Sequence, residues 1–215
     1  MPNQVELDGR RRRGDASRRV VLASATDLAS VEGLDGLSIG RLAEASRHSK
    51  SSIATLFKSK EGLQLATIAA AREIFTTQII EPARLEPRGV RRLAVLLRGA
   101  LQYSRDRVFA GGCFFLAAAA DVDSKPGPVR DAVRAALLDW YAYLGIQVAH
   151  AIAVGELHHD DAEALTFELI ALNEGANSRS LLTGESGSYV LAAAAMRERL
   201  SRAGADAEAL ALLQV

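Results

Sequence analysis

The sequence predicts an all-α protein, and three observations support this fold class. Apolar residues recur every three or four positions along most of the chain, as they do on one face of an α-helix. Alanine and leucine, which favour helix, dominate the apolar residues, whereas only 5% of all residues are aromatic. No segment shows the alternation of apolar and polar residues that a half-buried strand requires. The pattern therefore predicts about nine helices and no sheet.

Residues 38–60 carry the pattern of greatest functional interest, two short helices separated by a tight turn. Ser38 and Ser49 each precede an apolar repeat, so each hydroxyl can accept a free backbone N–H at a helix start. The outward positions of the second helix are small, polar or cationic, namely Lys50, Ser51, Ser52 and Thr55. Such a helix can enter a major groove and contact bases and phosphates. The pattern predicts a helix-turn-helix, with the second helix as recognition helix.

The same stretch resembles the TetR family of bacterial transcriptional repressors, over about residues 18–63. The residues that carry the resemblance are Leu37-Ser38, Ile39, Leu42-Ala43-Glu44-Ala45, Ser49-Lys50-Ser51-Ser52-Ile53, Phe57 and Ser59-Lys60-Glu61-Gly62-Leu63. The resemblance implies a DNA-binding head at residues 1–62 and a ligand-binding and dimerisation domain at residues 63–215. It further implies a homodimeric repressor that leaves a palindromic operator when a small, mostly apolar effector binds.

Three residues depart from the family pattern. Arg47 stands in the turn where the family usually has Gly, and a positive φ there costs a non-Gly residue free energy. His48 replaces a small aliphatic residue, and its ring faces either a phosphate or base edge or the solvent. Ala54 replaces a common aromatic residue, which removes one phosphate contact. These departures leave an alternative open, a helical ligand-binding or scaffold protein whose head no longer recognises DNA.

Basic residues are concentrated near the N-terminus. Residues 1–60 contain 11 Lys and Arg against 7 Asp and Glu, although the net charge of the whole chain is zero. Residues 1–14 are predicted to be disordered, and their arginine run is either a solvated tail or an arm that follows DNA. The predicted DNA-binding residues are Arg12, Arg13, Ser38, Arg47, His48, Ser49, Lys50, Ser51, Ser52, Thr55 and Lys60.

Further helices surround and follow this pair. Helix 1 is predicted over residues 16–31, and Arg18 and Arg19 near its start can reach phosphates. Helix 4 begins at the cap Ser59 and ends before Pro82, so it can pass a conformational change to the head. Five more helices are each bounded by Gly, Pro or a capping residue: helix 5 over 87–107, helix 6 over 113–120, helix 7 over 129–154, helix 8 over 161–183 and helix 9 over 188–203.

The resemblance also assigns roles to the C-terminal helices. Helices 4 to 7 of the family surround a ligand cavity, and the candidate wall residues here are Tyr103, Cys113, Phe114, Trp140 and Tyr143. Helices 8 and 9 carry small residues at close spacing, including Gly175 and the run Ala192–Ala195. This pattern fits either an Ala-rich core within one chain or, as the family implies, a four-helix dimer interface.

Other classes of protein lack support in the sequence. The single cysteine, Cys113, excludes an intramolecular disulfide and favours a reducing cytosol. No apolar run approaches the ~20 residues that span a bilayer. The sequence contains no phosphate loop, nucleophile elbow or zinc pattern, and we read the linker that contains His158, His159 and Asp160 as polar rather than catalytic. We therefore predict no enzymatic activity, no cofactor and no metal, in a cytoplasmic protein that joins the nucleoid when bound to DNA.

Overall fold

The computed structural model describes residues 4–158 and 161–215 of the chain, with side chains from residue 14 onward. Within these ranges the protein consists of ten helices and contains no strand, so the predicted all-α class is confirmed. The helices are α1 (Gln4–Glu32), α2 (Ile39–Ser46), α3 (Lys50–Phe57), α4 (Lys60–Phe75), α5 (Val90–Arg105), α6 (Phe114–Val122), α7 (Pro128–Ala153), α8 (Ala162–Thr183), α9 (Gly187–Arg202) and α10 (Ala207–Ala211).

Helix α1 is much longer than predicted. We expected a disordered arm at residues 1–14, but the helix already begins at Gln4. Arginine, glutamate and leucine are good helix formers, and Gly14 costs only about 1 kcal/mol relative to alanine. The packed part of α1 supplies the nucleus onto which such a segment can add. Arg12 and Arg13 lie in this helix, and their side chains fall outside the described ones.

Three serines cap consecutive helices in the N-terminal part, as the sequence predicts. The hydroxyl of Ser38 accepts the N–H of Arg41 at 3.3 Å. Ser49 and Ser59 accept the N–H groups three residues ahead at 3.2 Å and 2.9 Å. Each bond satisfies one of the free donors at a helix start, so the ends of α2, α3 and α4 are set by local sequence.

The end of α4 differs from the prediction that it stops before Pro82. After Phe75 the rod continues through a π-helical turn, Thr76–Ile80, and a last α-helical turn, Glu81–Ala83. The N–H of Glu81 donates to Thr76 O, five residues back. Proline has no N–H and clashes with the carbonyl four residues earlier in a regular helix. The wider turn gives that ring room, so the helix passes through the proline.

Helix α5 starts three residues later than the predicted Pro87. Gly89 has a φ of 105°, which interrupts any helix that starts before it. The carboxylate Oε2 of Glu156, in the loop after α7, accepts the N–H of Val90 at 2.8 Å. A distant side chain therefore caps this helix, and local sequence contains no sign of that contact.

The buried apolar residues form one continuous cluster from Val21 in α1 to Leu213 near the C-terminus. Helix α1 packs against α4 and α6, while α8 packs against α5, α7 and α9. The helices that follow α4 thus share a hydrophobic core with the helix-turn-helix, rather than being joined to it by a linker alone. No helix in the described ranges is long and apolar enough to cross a membrane.

Candidate functional site

The turn between α2 and α3 adopts the geometry that the sequence predicts for it. Arg47 has φ 55° and ψ 32°, in the left-handed region, and its side chain is exposed. His48 is half-buried, and its Nδ1 lies 2.8 Å from the carbonyl oxygen of Ser46. Because a carbonyl only accepts, Nδ1 carries the proton, and the ring is held against the turn. The contact leaves Nε2 as the nitrogen available to another partner.

Helix α3 separates a buried side from an exposed one. Ile53 and Phe57 are buried against the rest of the head. The predicted contact residues lie on the other side, where Lys50, Ser51 and Thr55 are exposed and Ser52 is half-buried, together with the caps Ser38 and Ser49. Ala54 is exposed among them, so the position that usually carries an aromatic residue offers only a methyl group. The face is short, polar and open, as a groove-binding helix requires.

Arg18, which we expected at a phosphate, instead supports α3 from within. Its Nη1 donates to the carbonyl oxygen of Leu56 at 3.0 Å, and its guanidinium carbon lies 4.7 Å from the centre of the Phe57 ring. The first contact satisfies one of the free carbonyls at a helix end, and the second is a cation–π contact. Arg18 therefore fixes the recognition helix against α1.

Two lysines flank the start of α4. The Nζ of Lys60 donates to the carbonyl oxygen of Asp35 at 2.7 Å, which ties α4 to the loop after α1. Its predicted phosphate contact thus competes with a partner inside the protein. Lys58 is exposed, with φ 62°, at the end of α3. Sequence analysis missed Lys58, although a basic residue directly after the recognition helix was the available signal.

The head meets the C-terminal helices at a charged junction formed by Asp35, Asp121 and Lys125. The Nζ of Lys125 lies 2.9 Å from Asp35 Oδ2 and 2.8 Å from Asp121 Oδ1. Asp121 Oδ2 also accepts the backbone N–H of Asp35 at 3.0 Å. The hydrogen bond from Lys125 lowers the pKa of Asp35 below its ordinary value, and the hydrogen bond to Asp121 raises the pKa of Lys125.

A second junction joins α1 to the loop before α6. The N–H of Gly111 donates to Ser30 Oγ at 2.9 Å, and the N–H of Ala110 donates to Asp27 Oδ1 at 2.8 Å. A Cβ at Gly111 would lie 1.8 Å from the carbonyl oxygen of Ser30, so only glycine fits. The loop that precedes α6 is therefore in backbone contact with the first helix of the head.

A cavity of about 340 Å³ lies among α4, α5, α6, α7 and α8. Four of the five predicted wall residues line it, namely Tyr103, Cys113, Trp140 and Tyr143. Phe114 does not line it, because it is fully buried on the other side of α6, with its ring 5.9 Å from that of Phe109. The next residue, Phe115, lines the cavity in its place. Successive helical residues point about 100° apart, so one phenylalanine faces the cavity and the other the core.

Aromatic rings surround one end of the cavity. The Phe75 ring lies 5.0 Å from Trp140, 5.6 Å from Tyr103 and 6.0 Å from Phe115, measured between ring centres. All three pairs are near perpendicular, at 71° to 84°. Edge-to-face contacts of this kind hold the rings in fixed orientations. Phe75, which lines the cavity, was not among the predicted wall residues.

Polar groups also line the cavity. Tyr141 Oη donates to Glu174 Oε1 at 2.7 Å, and both Glu174 and Asn173 line the cavity. The Tyr103 hydroxyl and Asn173 Oδ1 are buried and have no hydrogen-bond partner within the described part of the chain. Burial raises the pKa of the Tyr103 hydroxyl and of the Cys113 thiol, so both stay neutral. Sequence analysis missed Asn173 and Glu174, whose only signal is a polar pair between apolar residues of α8.

Helices α8 and α9 present apolar side chains to the outside. Four exposed residues contribute to this surface: Phe167, Leu182, Val190 and Leu191. Gly175 lines a shallow groove between the two helices with Ala171, Leu191 and Ala192, and a Cβ there would meet nothing within 4 Å. The surface is the one that the sequence predicts as a dimer interface.

The linker after α7 carries no metal or catalytic arrangement that the structure describes. Glu156 caps α5, and His158 is exposed. His159 and Asp160 lie outside the described residues. Among those that are described, no group of three His, Cys, Asp or Glu side chains is placed to hold a metal ion.

Comparison with known families supports the architecture. Residues 89–196 match the model of the tetracyclin repressor-like C-terminal domain, which covers 108 of the 215 residues. The chain belongs to the TetR family. This match lies in the C-terminal part of the chain, and it confirms the family that the helix-turn-helix resembles. A search among curated proteins gave no match to this TetR-family chain.

Three solved structures share this fold over most of the chain. A TetR transcriptional regulator from Chloroflexus aurantiacus has a TM-score of 0.80 and 26% identity, over 89% of this chain and 97% of that one. A putative transcriptional regulator from Saccharomonospora viridis, solved with choline, has a TM-score of 0.70 and 20% identity, over 87% and 95%. AibR, solved with isovaleryl coenzyme A and operator DNA, has a TM-score of 0.64 and 18% identity, over 75% and 86%.

Proposed function

We propose that this TetR-family chain is a homodimeric transcriptional repressor that binds a palindromic operator through α3 and leaves it when a small effector fills the cavity. One observation carries the proposal. Helix α4 begins three residues after the recognition helix ends, and its far end lines the cavity with Phe75, Thr76 and Ile80. A single rod therefore connects the DNA-binding surface to the candidate effector site.

The head supplies the DNA contacts. The exposed face of α3, from Lys50 to Thr55, enters the major groove, and the exposed Arg47 lies beside the phosphates. Arg12 and Arg13, on the N-terminal extension of α1, add charge near the DNA backbone. A protein with this role acts in the cytoplasm, at the nucleoid when DNA is bound.

The dimer brings two heads to successive major grooves, which lie about 34–36 Å apart on one face of the duplex. The exposed apolar surface of α8 and α9 is the interface, because large apolar side chains such as Leu182 and Leu191 are otherwise left in water. Close packing of two such surfaces is favoured where small residues such as Gly175 let the helices approach.

Effector binding and operator binding are coupled through the spacing of the heads. An effector shifts this equilibrium only if it binds one head arrangement more tightly than the other. The walls of the cavity supply that difference, since Cys113 and Phe115 belong to the segment in contact with α1 through Gly111. An effector that changes the shape of the cavity moves this segment. The movement in turn changes how the head packs against the C-terminal helices.

Operator binding is the test. The purified protein is titrated with labelled duplexes tiled across the promoter upstream of its own gene, and anisotropy reports binding. We expect one palindromic fragment to bind at least ~10³-fold more tightly than a scrambled one at fixed salt. Equal affinity for all fragments would instead support the alternative, a ligand-binding protein with an impaired head. The exposed Ala54 is the observation that favours this alternative. Turnover of a bound ligand would instead indicate an enzyme.

A further inference from the structure

One charged group in the cavity wall has no counterion among the residues that the structure describes. Four charged residues line the cavity: Arg72, Arg84, Asp139 and Glu174. Arg72 and Asp139 pair with each other and are both exposed at the rim, as Arg84 is. Glu174 is half-buried, and the described side chains give it one hydrogen bond, from the neutral hydroxyl of Tyr141, and no ion pair. The inner wall therefore carries one uncompensated negative charge.

Aromatic rings form much of the remaining wall. Tyr103, Phe115 and Trp140 stand nearly perpendicular to the Phe75 ring, and Tyr143 lines the same cavity. The faces of such rings are negative and attract cations that come within about 6 Å of their centres. A cavity that combines several rings with one carboxylate has the chemistry that binds an organic cation rather than an anion.

Two buried polar atoms in the cavity wall, in Tyr103 and Asn173, can form hydrogen bonds with a polar ligand. The Tyr103 hydroxyl is buried, with 3% of the residue exposed, and it has no hydrogen-bond partner among the described residues. Asn173 Oδ1 is likewise buried and unpaired in that part of the chain. A buried polar atom without a partner costs free energy, so each is a position where a ligand can gain a hydrogen bond. The N–H groups of an ammonium are donors of the kind that a hydroxyl oxygen, an amide oxygen or a carboxylate accepts.

We propose that the cavity selects an organic cation, an amine protonated at neutral pH and attached to a small apolar body. The ammonium lies against Glu174, and the apolar body packs among the rings around Phe75. This inference rests on the proposed function, since it takes the cavity to be the effector site. Arg84 does not oppose it, because that guanidinium is exposed at the rim and screened by water.

Three probes of similar shape separate charge from shape: 2-phenylethylammonium, the neutral 2-phenylethanol and the anion phenylacetate. Trp140 is the only tryptophan of the chain and lines the cavity, so its fluorescence reports binding directly. We expect the cation to bind at least about tenfold more tightly than the alcohol, and the anion to bind most weakly. A preference for the alcohol or the anion, or no binding of any probe, overturns the inference.

Glu174→Gln tests the role of the carboxylate. Glutamine keeps an oxygen that accepts from Tyr141, so the fold is retained, and circular dichroism checks it. We expect cation affinity to fall about tenfold while alcohol affinity stays the same. The matched control is Glu73→Gln, at an exposed glutamate of α4 that does not line the cavity, for which we expect less than a twofold change. Unchanged cation binding in Glu174→Gln overturns the inference.

Operator titrations on the same protein distinguish the two proposals. Specific operator binding together with no preference for the cation overturns only the inference about ligand chemistry. Cation binding at Trp140 without any specific operator binding overturns the proposed regulatory function and leaves the ligand chemistry standing. Each result therefore bears on one of the two proposals.

Discussion

The backbone N–H of Gly111 donates to the hydroxyl of Ser30, and this bond joins the loop before α6 to the first helix of the head. The two backbones are so close that a Cβ at Gly111 would lie 1.8 Å from the Ser30 carbonyl oxygen. The hydrogen bond ends on the Ser30 side chain, but this close approach is between main-chain atoms, so rotating a side chain cannot relieve it.

Gly111→Ala should therefore force α1 and the loop apart. We expect a loss of about 1–3 kcal/mol in the free energy of unfolding, as for other overpacked sites, measured by urea denaturation. The control is Gly145→Ala in α7, where the new Cβ would meet Thr166 Oγ1 at an ordinary 3.7 Å. That change should leave stability equal or slightly higher, because alanine favours helix. Equal stability of Gly111→Ala and the parent would contradict the contact.

Arg47→Gly should move stability and DNA affinity in opposite directions. Arg47 has φ 55°, which costs a non-Gly residue roughly 1–2 kcal/mol that glycine avoids. Glycine also gains entropy in the unfolded chain, so the net change should be a small increase or near zero. Operator affinity should fall, because a charge beside the recognition helix is lost. Tighter operator binding by the variant would mean that Arg47 is a defect of the head rather than a contact.

Lys50→Ala and Lys60→Ala should each weaken binding equally across DNA sequences and reduce the salt slope by roughly 1. Lys60→Ala should also lower stability, since its bond to the carbonyl oxygen of Asp35 is lost. The control is Arg134→Ala, an exposed residue of α7 far along the chain from the head, for which the slope should not change. Slopes identical to that of the parent in both lysine variants would remove them from the phosphate contacts.

Gly175→Leu should dissociate the dimer without unfolding the chain. A Cβ at Gly175 meets nothing within 4 Å in the single chain, so the position is open to a partner and a larger side chain there would obstruct it. We expect a cost of about 1–3 kcal/mol to association and more monomer in sedimentation. Ala149→Leu, at an exposed position of α7, is the control and should remain dimeric. A folded Gly175→Leu variant that stays as dimeric as the parent places the interface elsewhere.

The charged junction should weaken in acid. The hydrogen bond from Lys125 lowers the pKa of Asp35 from 3.8, so the stability from Asp35 is present above that pH and is lost as the pH falls through the folded-state pKa. The pKa of Lys125 is raised, so its contribution is present below pH ~10.4 and is lost as the pH rises further. Asp35→Asn should therefore be less stable than the parent at pH 7, and the difference in stability should narrow as the pH falls below 3.8.

Thermal melts at pH 7 and pH 3 measure this difference. Asp123→Asn, on the exposed side of the loop after α6, serves as the control and should match the parent at both pH values. A constant gap between Asp35→Asn and the parent at the two pH values would mean that the ion pair with Lys125 does not stabilise the junction.

The sequence correctly predicted those parts of the fold that depend on residues close together along the chain. The serine caps Ser38, Ser49 and Ser59 act within three residues, and their helix starts were predicted correctly. The positive φ of Arg47 follows from the place of glycine in the family turn. Of the five residues predicted to line the cavity, four do so, although their binding of an effector remains a prediction.

The errors arise from contacts between distant residues or from direction around a helix. Glu156 caps α5 from 66 residues away, which no local pattern reveals. Phe114 and Phe115 are equally apolar, so composition does not say which one faces the cavity. Arg18 was expected to contact a phosphate because it is basic and lies in the head. It instead donates to the carbonyl oxygen of Leu56 and lies over the ring of Phe57. Charge alone does not distinguish a ligand contact from an internal support.

The π-helical turn at Thr76–Ile80 sets the rotational phase of α4. A π turn holds one residue more than the α-helical turn it replaces, so the faces on its two sides are offset by about 100° from those of a regular helix. Leu63 before the turn and Ile79 within it are both buried. Removing one residue from the turn should restore a regular helix and rotate the head about the axis of α4. The number of residues in this helical segment thus sets the rotational orientation of the head. Deleting a single residue there changes that angle.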